Sequence, residues 1–207
     1  MKKNNEKGQT LLEAMLAVTV ISIVLVGFLS RSSFNYAVSR ETFDRNIAVN
    51  LARESIEAVR SIRDSNWLKG CPDPSGSNCF SWNSGLLPAG NHLAATEFDF
   101  LKNEWKVNFK NGTFDECVDT GRCRLFLNEN GVYSLDPATA VESKFSRGVE
   151  INPICSKESS CGGDGICTAK ETCSAEVIGL QIVSLVRWQE NNKWKNARLE
   201  ERLYNWR

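Results

Sequence analysis

Hydrophobic and polar positions divide the chain into three textures. From Leu11 to Leu29, nineteen residues run apolar with Glu13 as the single charge among them. At about 1.5 Å rise per residue a helix over that run spans about 28 Å, close to one bilayer hydrocarbon core. Lys2, Lys3 and Lys7 precede it, which predicts one membrane pass with the amino terminus cytoplasmic and everything after Leu29 outside. Further on, Phe43, Ile47, Ala48, Leu51, Ala52, Ile56, Val59 and Ile62 recur at spacings of three and four, a stripe of helical period. No proline intervenes between Leu29 and Pro72. The pattern predicts one helix from about Thr10 to Asp64, roughly 80 Å long, ending near Asn66 before Gly70, Pro72 and Pro74. Off the stripe, Arg53–Glu57 and Arg60–Asp64 have the spacing of i,i+4 ion pairs.

From residue 71 the texture turns to short strands and breaks. Glu97–Leu101, Glu104–Phe109, Arg124–Asn128 and Val132–Leu135 are alternating or aromatic-rich. Lys110-Asn111-Gly112 and Glu129-Asn130-Gly131 have hairpin-turn chemistry. Lys144–Asn152, Val177–Gln189 and Trp194–Trp206 predict three longer strands. In the middle one, Ile178, Leu180, Ile182, Val186 and Trp188 share a face suited to covering the helix stripe. The expected fold class is α+β: a long amino-terminal helix, first transmembrane and then amphipathic, packed on an antiparallel β-sheet head.

The eight cysteines, Cys71, Cys79, Cys117, Cys123, Cys155, Cys161, Cys167 and Cys173, all fall in the portion expected outside the membrane. An even number there argues for disulfides in an oxidising compartment. Proximity suggests Cys71–Cys79 and Cys117–Cys123 as local loops, while the last four, evenly spaced, allow three pairings and fall in an insert at 153–175 between two strands. Zinc is the competing use of four thiolates, but its sites favour cysteines two to four residues apart, and every gap here is wider. Asp164 and Glu171 lack an EF-hand spacing. No metal and no cofactor is expected. Twenty-five basic and twenty-five acidic residues cancel, which argues against nucleic acid as a partner.

Glu13 is the anomaly. A carboxylate inside an apolar helix costs about 2.5–3.5 kcal/mol on insertion scales and is tolerable when paired. A cleaved secretory signal has a shorter apolar run and a small-residue site after it; an ordinary signal anchor leaves Glu13 without a purpose. Gly8-Gln9-Thr10-Leu11-Leu12-Glu13 and the apolar run behind it resemble the processing site of type IV prepilins and pseudopilins. The resemblance implies that a prepilin peptidase cuts between Gly8 and Gln9 on the cytoplasmic side and methylates the new amine. Glu13, fifth in the mature chain, would then pair with the amine of a neighbouring subunit. Gln9 stands where that family usually has phenylalanine, and Ser30 where it has a helix-bending proline. The segments LARESIEAVRSIRDSNWL, FSRGVEI, VSLVRW and LEERLYNW also resemble minor-pilin-like subunits, whereas the middle of the chain, about 68–140, resembles nothing specific. CGGDGICTAKETC loosely resembles small cysteine-rich repeats.

On that resemblance the chain divides into a leader at 1–8, a membrane and assembly half-helix at 9–30, an amphipathic half at 31–66, and a pilin-like head at 67–207 with disulfide-stapled loops. The implied function is a structural subunit of a type IV pilus or related pseudopilus, a minor one given its cysteine-rich head. It would meet the peptidase, other pilin or pseudopilin subunits, the inner-membrane assembly machinery and, before assembly, membrane lipid. It would end in a surface or periplasmic fibre. Adhesion, motility, secretion and DNA uptake stay open. The alternative is a membrane-tethered, cysteine-rich binding domain that does not polymerise. His92 is the only histidine, and no GxSxG, HExxH, P-loop or GxGxxG pattern occurs, so no enzyme is expected. The tryptophans Trp67, Trp105, Trp188 and Trp206 adjoin predicted elements, where packing is their expected role.

Overall fold

A computed structural model describes residues 6–70, 81–138, 140–157, 161–169 and 171–206. Cys71, Cys79 and the loop expected between them lie outside the described residues. The chain divides into two compact units, residues 1–44 and 45–207. The first helix, α1, runs Glu6–Lys69. It ends one turn later than the pattern predicts, because Gly70 at φ +47° takes the left-handed position and donates its N–H to Asn66 O at 3.1 Å, a cap that glycine adopts without strain. Strands β1 (Leu93–Asp99), β2 (Glu104–Phe109), β3 (Arg124–Asn128), β4 (Tyr133–Ser134), β5 (Ala140–Cys155), β6 (Val177–Glu190) and β7 (Lys193–Tyr204) form one antiparallel sheet. The α+β class expected from the pattern is the observed one.

In the second unit the helix stripe meets the sheet. Ile56 and Val59 pack with Ala94, Val149, Ile151, Leu180, Ile182 and Leu203. One and two turns earlier, Ala48, Leu51 and Ala52 pack with Leu125, Phe145, Val186 and Trp188. Each fully buried aliphatic side chain contributes about 1.5–3 kcal/mol, so this seam organises the unit. The small residues Ala48 and Ala52 let the helix backbone approach the aromatic rings of Phe145 and Trp188, whose centroids are 6.1 Å apart. Asn66 fastens the helix end by donating Nδ2 to Trp82 O (3.2 Å) and Ser84 O (2.9 Å). Arg60 does not pair with Asp64 as its spacing suggests. It bonds Glu57 and reaches across to Glu201 on β7, while Asp64 pairs with Arg63. The cross-element partner wins because β7 lies beside that face of the helix.

The opposite face of the sheet carries α2 (Phe114–Asp119), which the sequence pattern did not predict. Lys110-Asn111-Gly112 makes no hairpin; it leads into Thr113, the N-cap of α2. Thr113 Oγ1 accepts from the Glu116 N–H and Glu116 Oε2 from the Thr113 N–H, a capping box. Phe114 lies on Gly148 of β5: a Cβ there would come 2.6 Å from Phe114 Cδ2. Glu129-Asn130-Gly131 does join antiparallel β3 and β4. Asn191 and Asn192, both at positive φ, close the β6–β7 hairpin in the manner of a two-residue primed turn.

β5 is the hub. One edge pairs with β6 from Phe145↔Trp188 to Cys155↔Val177. Its other edge is shared in tandem: β3 takes Ala140 to Ser146 and β1 takes Val149 and Glu150. β1 leaves β5 after Ala94 while continuing along β2 to Asp99↔Glu104, so the sheet forks. Arg147 sits at the fork, 4% exposed. Its Nη2 donates to Thr96 O at 3.1 Å and its Nη1 lies 3.1 Å from Glu54 Oε1 on α1.

Gly148→Ala is expected to displace Phe114 and destabilise the chain by about 1–3 kcal/mol, the usual range for overpacking, read as a lowered denaturant midpoint of the detergent-solubilised protein. Asp99 gives a pH signature. The Lys106 ammonium at 2.5 Å, then the Lys102 and Leu101 N–H groups, hold its carboxyl below the usual value, and Asp99 raises Lys106. A carboxyl lowered by folding stabilises fully above its unfolded value, about 3.9, and the contribution is lost as pH falls through the lowered folded value. A carboxyl titration by NMR should place Asp99 below ordinary aspartates, and Lys106→Met should move it back up.

Candidate functional site

The amino-terminal half of α1 is unlike any other part of the chain. Gly8 and Gln9 both lie in its first turns. From Leu11 to Tyr36 every side chain is exposed in the single chain, including Leu11, Met15, Ile21, Ile23, Val26 and Phe28 at 56–73% exposure with their neighbours. A helix apolar on all sides has no stable place in water and belongs in lipid or among other apolar helices. The stretch is long and apolar enough to cross a membrane. Three of its hydroxyls are satisfied within the helix. Thr19 Oγ1 donates to Leu16 O at 2.8 Å, Ser22 Oγ to Val18 O at 2.8 Å and Ser33 Oγ to Leu29 O at 3.1 Å, so these hydroxyls need nothing from outside the helix. Glu13 is different. A carboxylate has no proton to give a helix carbonyl, and among the described residues no donor meets it.

Residues 3–29 match the prokaryotic N-terminal methylation motif. The amino terminus therefore carries a prepilin-type motif, and among the described residues one helix is long and apolar enough to cross a membrane. Such a motif implies processing by a prepilin peptidase and assembly with other pilins. Neither the curated proteins nor the solved structures hold a match to the chain.

The second cluster of chemistry is the cysteine insert between β5 and β6. Cys155 bonds to Cys173 and Cys161 to Cys167, while Cys117 bonds to Cys123 beneath α2. The insert is tied to the sheet by its backbone as well. Cys155 N–H donates to Gly165 O at 2.8 Å, Cys167 N–H to Pro153 O at 2.9 Å, and Ile154 bridges Ile166. Sulfurs of Cys155, Cys161 and Cys167 lie within 4.8 Å of one another, all buried. Crowding of this kind follows from two disulfides stacked in a loop with little other apolar filling. Asp164 Oδ1 accepts from the Ile166 N–H, and Glu171 Oε2 accepts from the Thr168 N–H and hydroxyl, which are turn-closing roles.

His92, set in a loop-like stretch of sequence, is buried at 7% exposure. Asn152 Nδ2 donates to Gln181 Oε1 at 3.0 Å, which leaves Asn152 Oδ1 to accept from His92 Nδ1 at 2.7 Å. Gln181 Nε2 passes the chain on to Glu200 Oε1 at 2.6 Å. Four strands or strand approaches are thus laced by one row of polar side chains. Of the tryptophans, Trp188 is core, Trp67 and Trp206 meet edge to face with centroids 4.5 Å apart, and Trp105 meets Phe98 edge to face. Sequence reasoning did not single out Arg147, whose burial depends on the sheet fork.

The disulfides give a direct test. Non-reducing peptide mapping should return Cys117–Cys123, Cys155–Cys173 and Cys161–Cys167. Replacing Cys117 and Cys123 together by serine should cost about 2 kcal/mol on the loop-closure scale, seen as a lower denaturant midpoint; an unchanged midpoint would refute a structural role for that link.

Proposed function

We propose that the chain is a structural subunit of a type IV pilus or related pseudopilus. It is made as a single-pass membrane precursor with a cytoplasmic amino terminus, cut between Gly8 and Gln9, methylated on the new amine, and assembled through α1 into a surface or periplasmic fibre. The observation that carries this reading is Glu13: one carboxylate, unmet by described donors, in an otherwise apolar helix directly behind a methylation motif. Cleavage creates an amine four residues from it in sequence. A neighbouring subunit's amine would neutralise the carboxylate, and the requirement that a charge in an apolar bundle be paired would set the register between subunits.

Packing of residues 10–29 between copies would replace lipid contacts at little net hydrophobic cost, since the helix is apolar on every side. The head, with its short turns and stapled insert, suits a minor subunit better than a bulk one. In this reading the chain is not an enzyme. His92 serves as a structural hydrogen-bond partner of Asn152, and the cysteines serve as staples. Cleavage removes three lysines and one glutamate and leaves a net charge near −2, which offers no bulk attraction for nucleic acid.

Intact mass of the membrane-extracted protein should show a chain beginning at Gln9. A chain still starting at Met1 in cells with active prepilin peptidase would move the reading to a tethered, non-polymerising binding domain. Glu13→Ala should remain in the membrane with nearly the same cut fraction, yet fall at least tenfold in sheared fibres, measured by immunoblot of fibre against membrane fractions. Normal incorporation of that variant would remove the pairing role.

A further inference from the structure

The fork in the sheet opens a cleft that the assembly reading does not use. Between the β1–β2 hairpin and the β3–β4 hairpin lies a cavity of about 450 Å³, walled by Phe98, Phe100 and Trp105 on one side and Val132 and Tyr133 on the other, with Arg147 at its floor. It runs into a second cavity of about 410 Å³ through the shared residues Glu97, Phe98, Phe100 and Ser134. The aromatic wall is built: Phe98 meets both Phe100 and Trp105 edge to face at 5.2 Å between centroids. Each cavity is of the size that holds small ligands or a few side chains.

Backbone alternation adds a second feature. The Lys110 N–H donates to Leu93 O at 2.8 Å, so in this antiparallel ladder Leu93, Ala95 and Glu97 turn their peptide groups toward β2. Thr96 and Phe98 therefore turn theirs toward the cleft. Thr96 O is met by Arg147; Phe98 lies beyond the point where β1 has β5 as a partner. β4, two residues long, has β3 as its ladder partner. The cleft thus runs along a strand edge with apolar sockets beside it, the arrangement used for strand addition.

Charge selects the occupant. Arg147 is committed to Glu54 and Thr96, and Lys106 to Asp99. Glu97 accepts from Asn108 Nδ2 at 3.3 Å and shares the field of Lys106, its cross-strand partner, with Asp99, while Asp136 accepts from the Ala138 N–H at 2.9 Å. The carboxylates lining the two cavities, Glu54, Glu97, Asp99 and Asp136, outnumber the cations Arg147 and Lys106. We propose that this cleft binds an extended segment of another protein that alternates lysine or arginine with apolar side chains and adds as a strand along β1 at Phe98.

The test uses the full chain in phosphatidylcholine nanodiscs and a blocked peptide, acetyl-Lys-Val-Lys-Phe-Lys-Val-amide, followed by calorimetry and by hydrogen exchange across β1. Saturable binding with slowed exchange at Phe98 is expected. Affinity should fall at least tenfold when alternate peptide nitrogens are methylated, when glutamate replaces lysine in the peptide, and in the protein variant Glu97→Lys with Asp136→Lys. Circular dichroism would verify that this variant, altered at rim positions, keeps its fold. No saturable binding, or equal binding of the methylated or acidic peptide, overturns the proposal. So does protection of the same amides by maltohexaose, which would make the cleft a saccharide site, or by raising protein concentration without peptide, which would assign it to a second copy.

Discussion

Burial of one helix stripe against β5 and β6 is the constraint on which the second unit depends. Ala48, Leu51, Ala52, Ile56 and Val59 present a surface that water disfavours, and the inward faces of β5 and β6 present its complement in Phe145, Val149, Ile151, Leu180, Ile182 and Val186. Neither surface is stable alone. Their union sets which way each strand faces, since a shift of one residue would turn the whole apolar set of a strand outward. It also brings Arg60 to Glu201 and Glu54 to Arg147, ion pairs between elements distant in sequence.

The same helix poses the opposite problem in its first half. There the apolar surface surrounds the axis, so no single sheet could cover it. The two halves divide the labour. One half is covered inside the chain by the sheet; the other is exposed in the single chain, and a surface apolar on all sides belongs in lipid or among other apolar helices. Glu13 is placed in the half left unsolved, which is why its charge argues for a partner rather than for folding. The hydroxyls of Thr19, Ser22 and Ser33 close onto their own helix, a local solution that a carboxylate at Glu13 does not have.

In the head, short-range staples replace what a turn-rich, cysteine-rich segment cannot bury. Cys117–Cys123 closes the loop after α2, and two further disulfides fill the insert between β5 and β6. The row from His92 through Asn152 and Gln181 to Glu200 ties the strands laterally on polar contacts. A lone histidine is thereby accounted for by hydrogen bonding.

Features that depend on period and local chemistry were legible in the chain before its fold. The long helix, the strands over 104–109, 124–128 and 177–190, the Asn-Gly turn between β3 and β4 and the methylation motif belong here, because neighbours in sequence decide them. α2 was legible in principle, in the Thr113 and Glu116 capping box, but the Asn-Gly pair before it carried the stronger turn signal. Other features arise only once the elements have packed. Whether Arg60 bonds Asp64 or Glu201 depends on where β7 comes to lie. That Arg147 is buried, that Gly148 must lack a side chain, and that β1 parts from β5 all depend on β1 and β3 sharing one edge of β5. Pairing of that kind joins residues dozens of positions apart, and no local period records which edge a strand will find.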